Sequence, residues 1–138
     1  MAFLSSAILL LGCRTPSLAT EAGATGPTDE FPRPGNYDVV QEGSYGRKQT
    51  IEPLDVSNSR SFQEFIMRDA RHCRDVASSF RDGRFSVRMT CDTPDGDIRD
   101  IKEEIYGTYS ATSLQITRKT RIFGVETKQI ITYTLKQQ

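Results

Sequence analysis

The sequence predicts a mainly β, α+β domain: a curved antiparallel meander sheet packed on one short helix, behind a disordered N-terminal signal and linker. Three observations predict it. From Leu114 to Leu135 apolar residues alternate with polar ones on both sides of Phe123-Gly124, the period of a half-buried strand pair. Arg81-Asp82-Gly83-Arg84 is a turn signal between two further segments of strand character, Val76 to Phe80 and Phe85 to Cys91. Only one stretch, with Phe62, Phe65, Ile66 and Ala70, combines helical spacing with a start signal, Ser61 followed by Glu64 as a capping box.

The chain opens with an apolar run, Ala2 to Leu11, that ends in the lipobox-like tetrad Leu10-Leu11-Gly12-Cys13. The run is far shorter than the roughly 20 residues a membrane-spanning helix needs, but it has the length of a signal-peptide core. The expectation is a signal peptide over residues 1–12 and a mature chain that begins at a lipid-bearing Cys13 in a bacterial cell envelope. Met1-Ala2-Phe3 lacks the Lys or Arg with which signal peptides open, and Ser17-Leu18-Ala19 offers an alternative cleavage site that releases a soluble periplasmic protein. Arg14, where an Asp would mark retention in the inner membrane, favours the outer membrane by analogy with lipoproteins of two-membrane bacteria. Residues 13–34 are rich in Ala, Thr, Gly, Pro and Ser, too poor in apolar groups to offset their ordering entropy, and read as a flexible tether. Residues 35–138 are enough for one antiparallel β domain.

Within that domain, Tyr37 and Val39 mark a first strand over 36–41 and Gly43-Ser44-Tyr45-Gly46 a turn. A second strand over 48–56 contains Pro53, which puts it at a sheet edge or ends it. The helix follows. Ile98, Ile101, Ile105 and Tyr109 have helical spacing, but Gly107-Thr108-Tyr109 and the Thr/Ser-rich turn after it favour a strand. Centring the last turn on Phe123-Gly124 pairs Ile116 with Ile131, Leu114 with Tyr133, and Ile122 with Val125, one consistent apolar face.

With Cys13 lipidated or removed, Cys73 and Cys91 remain as an even pair in an oxidising compartment and are expected to form a disulfide. Two registers compete there. A three-residue loop pairs Phe80 with Arg84 and sets Cys73 opposite Cys91, at a non-hydrogen-bonded position whose Cα separation is about 4.5 Å. A two-residue Asp82-Gly83 loop instead puts Val76 and Phe80 on the apolar face with Phe85, Val87 and Met89. A bulge or a helical residue near Cys73 reconciles them.

Composition removes functions more than it assigns them. Eighteen basic residues balance eighteen acidic ones, so no large positive field exists to bind nucleic acid. His72 is the single histidine, which excludes multi-imidazole metal sites and leaves one candidate base for Ser-His-Asp chemistry. Its neighbour Cys73 is better placed in the bridge than as a nucleophile. Asp92, Asp95, Asp97 and Asp100 surround Pro94 and Gly96 without the spacing of an EF-hand loop and read as a solvated turn. Arg118, Lys119, Arg121 and Lys128 form a basic patch on the final hairpin, with Arg121 facing Glu126 and Lys119 facing Lys128. Such a patch is an exposed face that discourages edge pairing, or a contact for an anionic partner.

Pro34-Gly35-Asn36-Tyr37-Asp38-Val39 resembles the Pro-Gly-Leu-Trp-Glu-Val opening of the bacterial exported-protein family called domain of unknown function 3617. The helix before Cys73, the Cys73/Cys91 hairpin and the Gly-punctuated strands that follow are similar to the rest of that layout over roughly residues 32–138. The chain lacks an earlier and a C-terminal cysteine that many members carry. The resemblance implies an antiparallel β fold with a helix in the cell envelope and no catalytic residues. The resulting expectation is a lipid-anchored, non-enzymatic structural or interaction module, without cofactor or metal, that meets the membrane through its lipid and another envelope protein through a sheet edge or the basic hairpin. The alternative is a carrier of a small apolar ligand or lipid within the curved sheet.

Overall fold

The computed structural model describes residues 30–68 and 70–137. Seven strands, β1 (Gly35–Gly43), β2 (Gly46–Leu54), β3 (Cys73–Arg81), β4 (Arg84–Cys91), β5 (Ile101–Tyr109), β6 (Ser113–Ile122) and β7 (Val125–Leu135), form one antiparallel sheet. Its spatial order is β2-β1-β7-β6-β5-β4-β3. Every neighbour is a hairpin partner except β1 and β7, which join the two ends of the chain. The sheet stays open, and the helix α1 (Ser59–Ile66) connects its two edge strands, β2 and β3. Pro53 lies on edge strand β2, where a missing ladder donor is tolerated.

Alternation decides which face is covered. Tyr37, Val39, Phe85, Val87, Met89, Ile105, Tyr109, Leu114, Ile116 and Tyr133 are buried on the side where Phe62 and Ile66 of α1 pack. Phe62 is the hub. Its ring meets those of Phe31, Phe80, Phe85 and Tyr109 at centroid distances of 4.8–5.8 Å, and Phe65 meets Tyr133 edge-on at 5.9 Å. Among the described residues every buried side-chain nitrogen or oxygen has a hydrogen-bond partner.

The helix begins three residues before the expected box. Asn58 is the N-cap: its side chain accepts the Ser61 N–H at 2.9 Å, and Ser61 Oγ accepts the Asn58 N–H at 3.3 Å. Glu64, read from sequence as the box acceptor, instead pairs with Arg60 one turn back at 3.0 Å. Ala70 falls beyond the helix, though it still packs on the core.

Residues 31–34, expected to end the flexible tether, are packed against the domain instead. Pro32 is buried, and Phe31 stacks on Tyr109 at 5.6 Å. Arg33 N–H donates to the Ala111 carbonyl at 2.9 Å, while buried Tyr37 donates its hydroxyl to the Arg33 carbonyl at 2.7 Å. Residues 31–34 are therefore held by the β5–β6 loop, contacts invisible to local composition. The signal segment 1–12, Cys13 and the tether through residue 29 lie outside the described residues.

The competing registers of the β3–β4 hairpin are both present. Near the turn, Phe80 faces Phe85 and Ser78 faces Val87, as the two-residue Asp82-Gly83 loop requires. At the far end Cys73 faces Cys91. A bulge between Arg74 and Ala77 absorbs the extra residue, with Asp75 at φ +56° taking the left-handed conformation that Asp tolerates. The cysteines are disulfide-bonded with Cα atoms 4.0 Å apart, and the Asp92 N–H donates to the His72 carbonyl one step beyond, which fixes the cysteines as a non-hydrogen-bonded pair. Val76 was expected on the apolar face; in the bulge of an uncovered edge strand it stays 45% exposed.

β5 is a strand, as the Gly107-Thr108-Tyr109 signal indicated, and it contains the tightest point of the sheet. A Cβ on Gly107 would lie 1.8 Å from the Gln115 carbonyl oxygen and 2.9 Å from the Phe85 ring, so only glycine fits between β4 and β6. The β6–β7 register is as the apolar alternation predicts: Ile116 faces Ile131, Leu114 faces Tyr133 and Ile122 faces Val125.

Candidate functional site

Alternation divides the four cations of the final hairpin. Arg118 lies on the same face of β6 as buried Leu114 and Ile116, whereas Lys119 and Arg121 point to the opposite face. The sequence patch Arg118, Lys119, Arg121, Lys128 is therefore two sites in space. Lys119 and Arg121 border a depression of about 360 Å³ in which four cations, completed by Arg88 and Lys102, meet the carboxylates of Asp75, Glu104 and Glu126. Charge is compensated there: Arg121 bonds Glu126 at 3.2 Å, Arg88 approaches Glu104 at 3.8 Å, and Lys119 lies over the Tyr106 ring at 5.6 Å. Exposed pairs of this kind contribute little to stability.

Arg118 belongs to the other site, while Lys128, the ladder partner of Lys119, stays on the Lys119 face and only borders that site. They line an open groove of about 470 Å³ with Arg47 and Lys48, beside Gln41, Thr120, Thr127 and Gln129, and no carboxylate lines it. Long-range pairing builds it. Gly43 faces Gln129, which carries the β1–β2 turn alongside β7 and adds Tyr45, Arg47 and Lys48 to a surface that the β6–β7 hairpin only half supplies. Arg47 is ion-paired with Glu42 at 3.4 Å, while Lys48 and Lys128 have no ion pair among the described residues. Lys48 and Arg118 project from the helix-facing side of the sheet, whereas Lys128 and the paired Arg47, whose ladder partners are Lys119 and Glu42, border the groove from the other side. The excess of cations gives this end of a chain of zero net charge a local positive field suited to an anion.

The β4–β5 connection is the acidic counterpart. Arg74 holds Asp92 at 3.0 Å and also pairs with Asp100, whose N–H donates to Asp92 Oδ1 at 3.0 Å. That backbone donor first, and Arg74 second, hold the Asp92 carboxyl below the usual range. The Thr93 hydroxyl and the Asp97 N–H do the same for Asp95. These carboxylates close a turn internally. Among the described residues no group of three or more His, Cys, Asp or Glu is arranged to hold a metal ion.

Among the described residues, three of the five large hydrophobic residues that remain exposed sit on or beside hairpin turns at this same end: Tyr45, Phe123 at 85% and Val125 at 66%. Phe123 and Gly124 both have positive φ, +51° and +77°, so the β6–β7 turn is of the primed kind and Phe123 occupies a left-handed position that normally takes Asn, Asp or Gly. Sequence reading missed Tyr45, Arg47 and Lys48, since only the β1–β7 ladder brings them to Lys128.

No family model, curated protein or solved structure matches the chain. Among the described residues no helix is long and apolar enough to cross a membrane.

Proposed function

We propose that the chain is a non-enzymatic interaction module of the bacterial cell envelope, tethered through a lipid on Cys13, whose working surface is the cationic groove between the β1–β2 turn and the β6–β7 hairpin. The observation that carries this reading is the charge of the groove: Lys48 and Arg118 lie on its face and Lys128 on its border, and no carboxylate is among its lining residues. An anionic partner, such as an acidic surface of another envelope protein, suits that field. The resemblance to domain of unknown function 3617 supports the envelope address.

The core argues for this module over the carrier. A small apolar ligand in the sheet would occupy the helix-facing side, and there Phe62 and Ile66 are 0% and 4% exposed against Tyr37, Phe85, Leu114 and Tyr133. The test uses polyphosphate as an anionic probe, titrated into the isotopically labelled full chain and followed by NMR. Amide shifts confined to Lys48, Arg118, Lys128 and their neighbours, lost in Lys48→Glu/Lys128→Glu, support the groove; an unperturbed groove rejects it. The tether is tested separately: Cys13→Ser is expected to move the protein from the membrane fraction to the soluble one, and an unchanged partition rejects the lipid.

A further inference from the structure

We infer that the anionic partner is a lipid bilayer, docked by the turn end of the sheet with the Phe123 and Tyr45 rings seated among the headgroups and the groove cations on the phosphates. This inference rests on the anion-binding reading of the groove and names its partner. Three observations meet at one end of the molecule. First, both neighbouring hairpin turns present an aromatic ring to water, Tyr45 fully and Phe123 at 85%, with Val125 beside Phe123 at 66% exposure. Rings placed at the boundary of polar and apolar phases are the side chains that membrane interfaces select. Second, Lys48 and Arg118 on one face of the sheet and Lys128 on the other lie near those turns, in excess of the carboxylates there. Apolar insertion and attraction to anionic headgroups act together in interfacial binding. Third, Phe123 holds φ +51°, so the turn accepts a left-handed phenylalanine whose ring buries nothing in the domain itself.

Charge also sets the orientation. The acidic connection with Asp92, Asp95, Asp97 and Asp100 leaves the sheet at this end too, but on the β4–β5 side, across the sheet from the β1–β2 turn. An anionic surface attracts the β1, β2, β6 and β7 side and repels the β4–β5 side, so the domain tips onto its aromatic turns. The docked bilayer leaves the β5–β6 loop, at the opposite end, in water.

The chain contains no tryptophan, which supplies a local reporter. Full-length chain carrying Cys13→Ser, so that no attached lipid delivers it, is made with Phe123→Trp or with Thr112→Trp in the β5–β6 loop. Vesicles of equimolar phosphatidylglycerol and phosphatidylethanolamine, with and without brominated acyl chains, are then added. Docking is expected to blue-shift and quench Phe123→Trp and to leave Thr112→Trp unchanged. Pure phosphatidylcholine vesicles should bind much less, and Lys48→Glu/Lys128→Glu should weaken binding roughly tenfold or more. Equal shifts at both reporters, which the apolar leader alone would give, overturn the orientation. No shift at Phe123→Trp overturns the inference, and if polyphosphate still perturbs the groove the anion-binding reading survives it. Loss of a protein crosslink in Phe123→Ser without any vesicle binding also overturns it, in favour of a protein pocket for the ring.

Discussion

The β3–β4 and β6–β7 hairpins are built on the same two-residue turn and put it to opposite uses. Both turns have positive φ at both central residues, Asp82-Gly83 at +54° and +70° and Phe123-Gly124 at +51° and +77°. Asp-Gly is a preferred pair for that geometry, and the hairpin it starts ends in the Cys73–Cys91 bridge with Arg74 clasping Asp92 and Asp100. Phe-Gly is a poor pair for it. The β6–β7 strands still hold a perfect register, from Ile122 facing Val125 to Ser113 facing Thr134, because their apolar face specifies it without help from the turn. One hairpin follows local rules and is stapled. The other breaks a local rule at its exposed tip, beside the cationic groove, which is where departures from self-consistency point to function and not to stability.

The strand between the two hairpins gives the harshest way to break this comparison. Gly107 faces Phe85 on one side and Ile116 on the other, so Gly107→Ala drives a methyl into the Gln115 backbone carbonyl and against the Phe85 ring and should cost about 3 kcal/mol or more, measured by chemical denaturation. If stability barely changes, the close approach of β5 to β6 is not as tight as described. Removing the staple comes next. Cys73→Ser/Cys91→Ser opens a loop of 18 residues' separation and should lose about 3 kcal/mol in the chain-entropy account, with Tm falling roughly 10–20 °C. Hydrogen exchange should quicken in β3 first and leave the β6–β7 tip unaltered; uniform quickening would mean that the hairpins are not separable units.

The turns themselves predict a smaller effect of opposite sign. Phe123→Asn removes a left-handed bulky residue and should raise stability by about 1 kcal/mol, while Asp82→Phe should lower it by a similar amount. Paired melting curves check this, and equal behaviour of the two swaps would show that turn chemistry is irrelevant here. The mildest prediction concerns pH. Asp92 and Asp95 have folded-state pKa values below their ordinary ones, so their contribution is present above pH 4 or so and is lost as pH falls through the folded values. Amides of residues 92–100 should lose exchange protection in that acid window before the β6–β7 ladder does.

Much of the fold was legible because its signals are local. The alternation in β6 and β7 sets every partner of that hairpin, and Asp82-Gly83 sets the other turn. The disulfide followed from cysteine parity, and the conflict of registers that parity created is what the bulge at Asp75 relieves. The candidate site was half legible. Arg118 stood out as a cation, but the linear patch joined it to Lys119, Arg121 and Lys128, which the strand period turns to the other face. The helix cap was misread by three residues, since Asn58 competes with Ser61 for the same role and local pattern alone favours neither.

By itself, then, the sequence determined the strand periods, the hairpin turns and the helix, because each depends on residues a few positions apart, and the cysteine pair, by parity. Only the tertiary structure decided that β1 closes on β7, that Phe31 and Pro32 belong to the core, and that Tyr45, Arg47 and Lys48 join Arg118 and Lys128 around one groove. Those contacts join residues some seventy to a hundred positions apart. Their loop-closure cost is met by the burial of the whole apolar face around Phe62, a collective quantity that no short window of sequence contains.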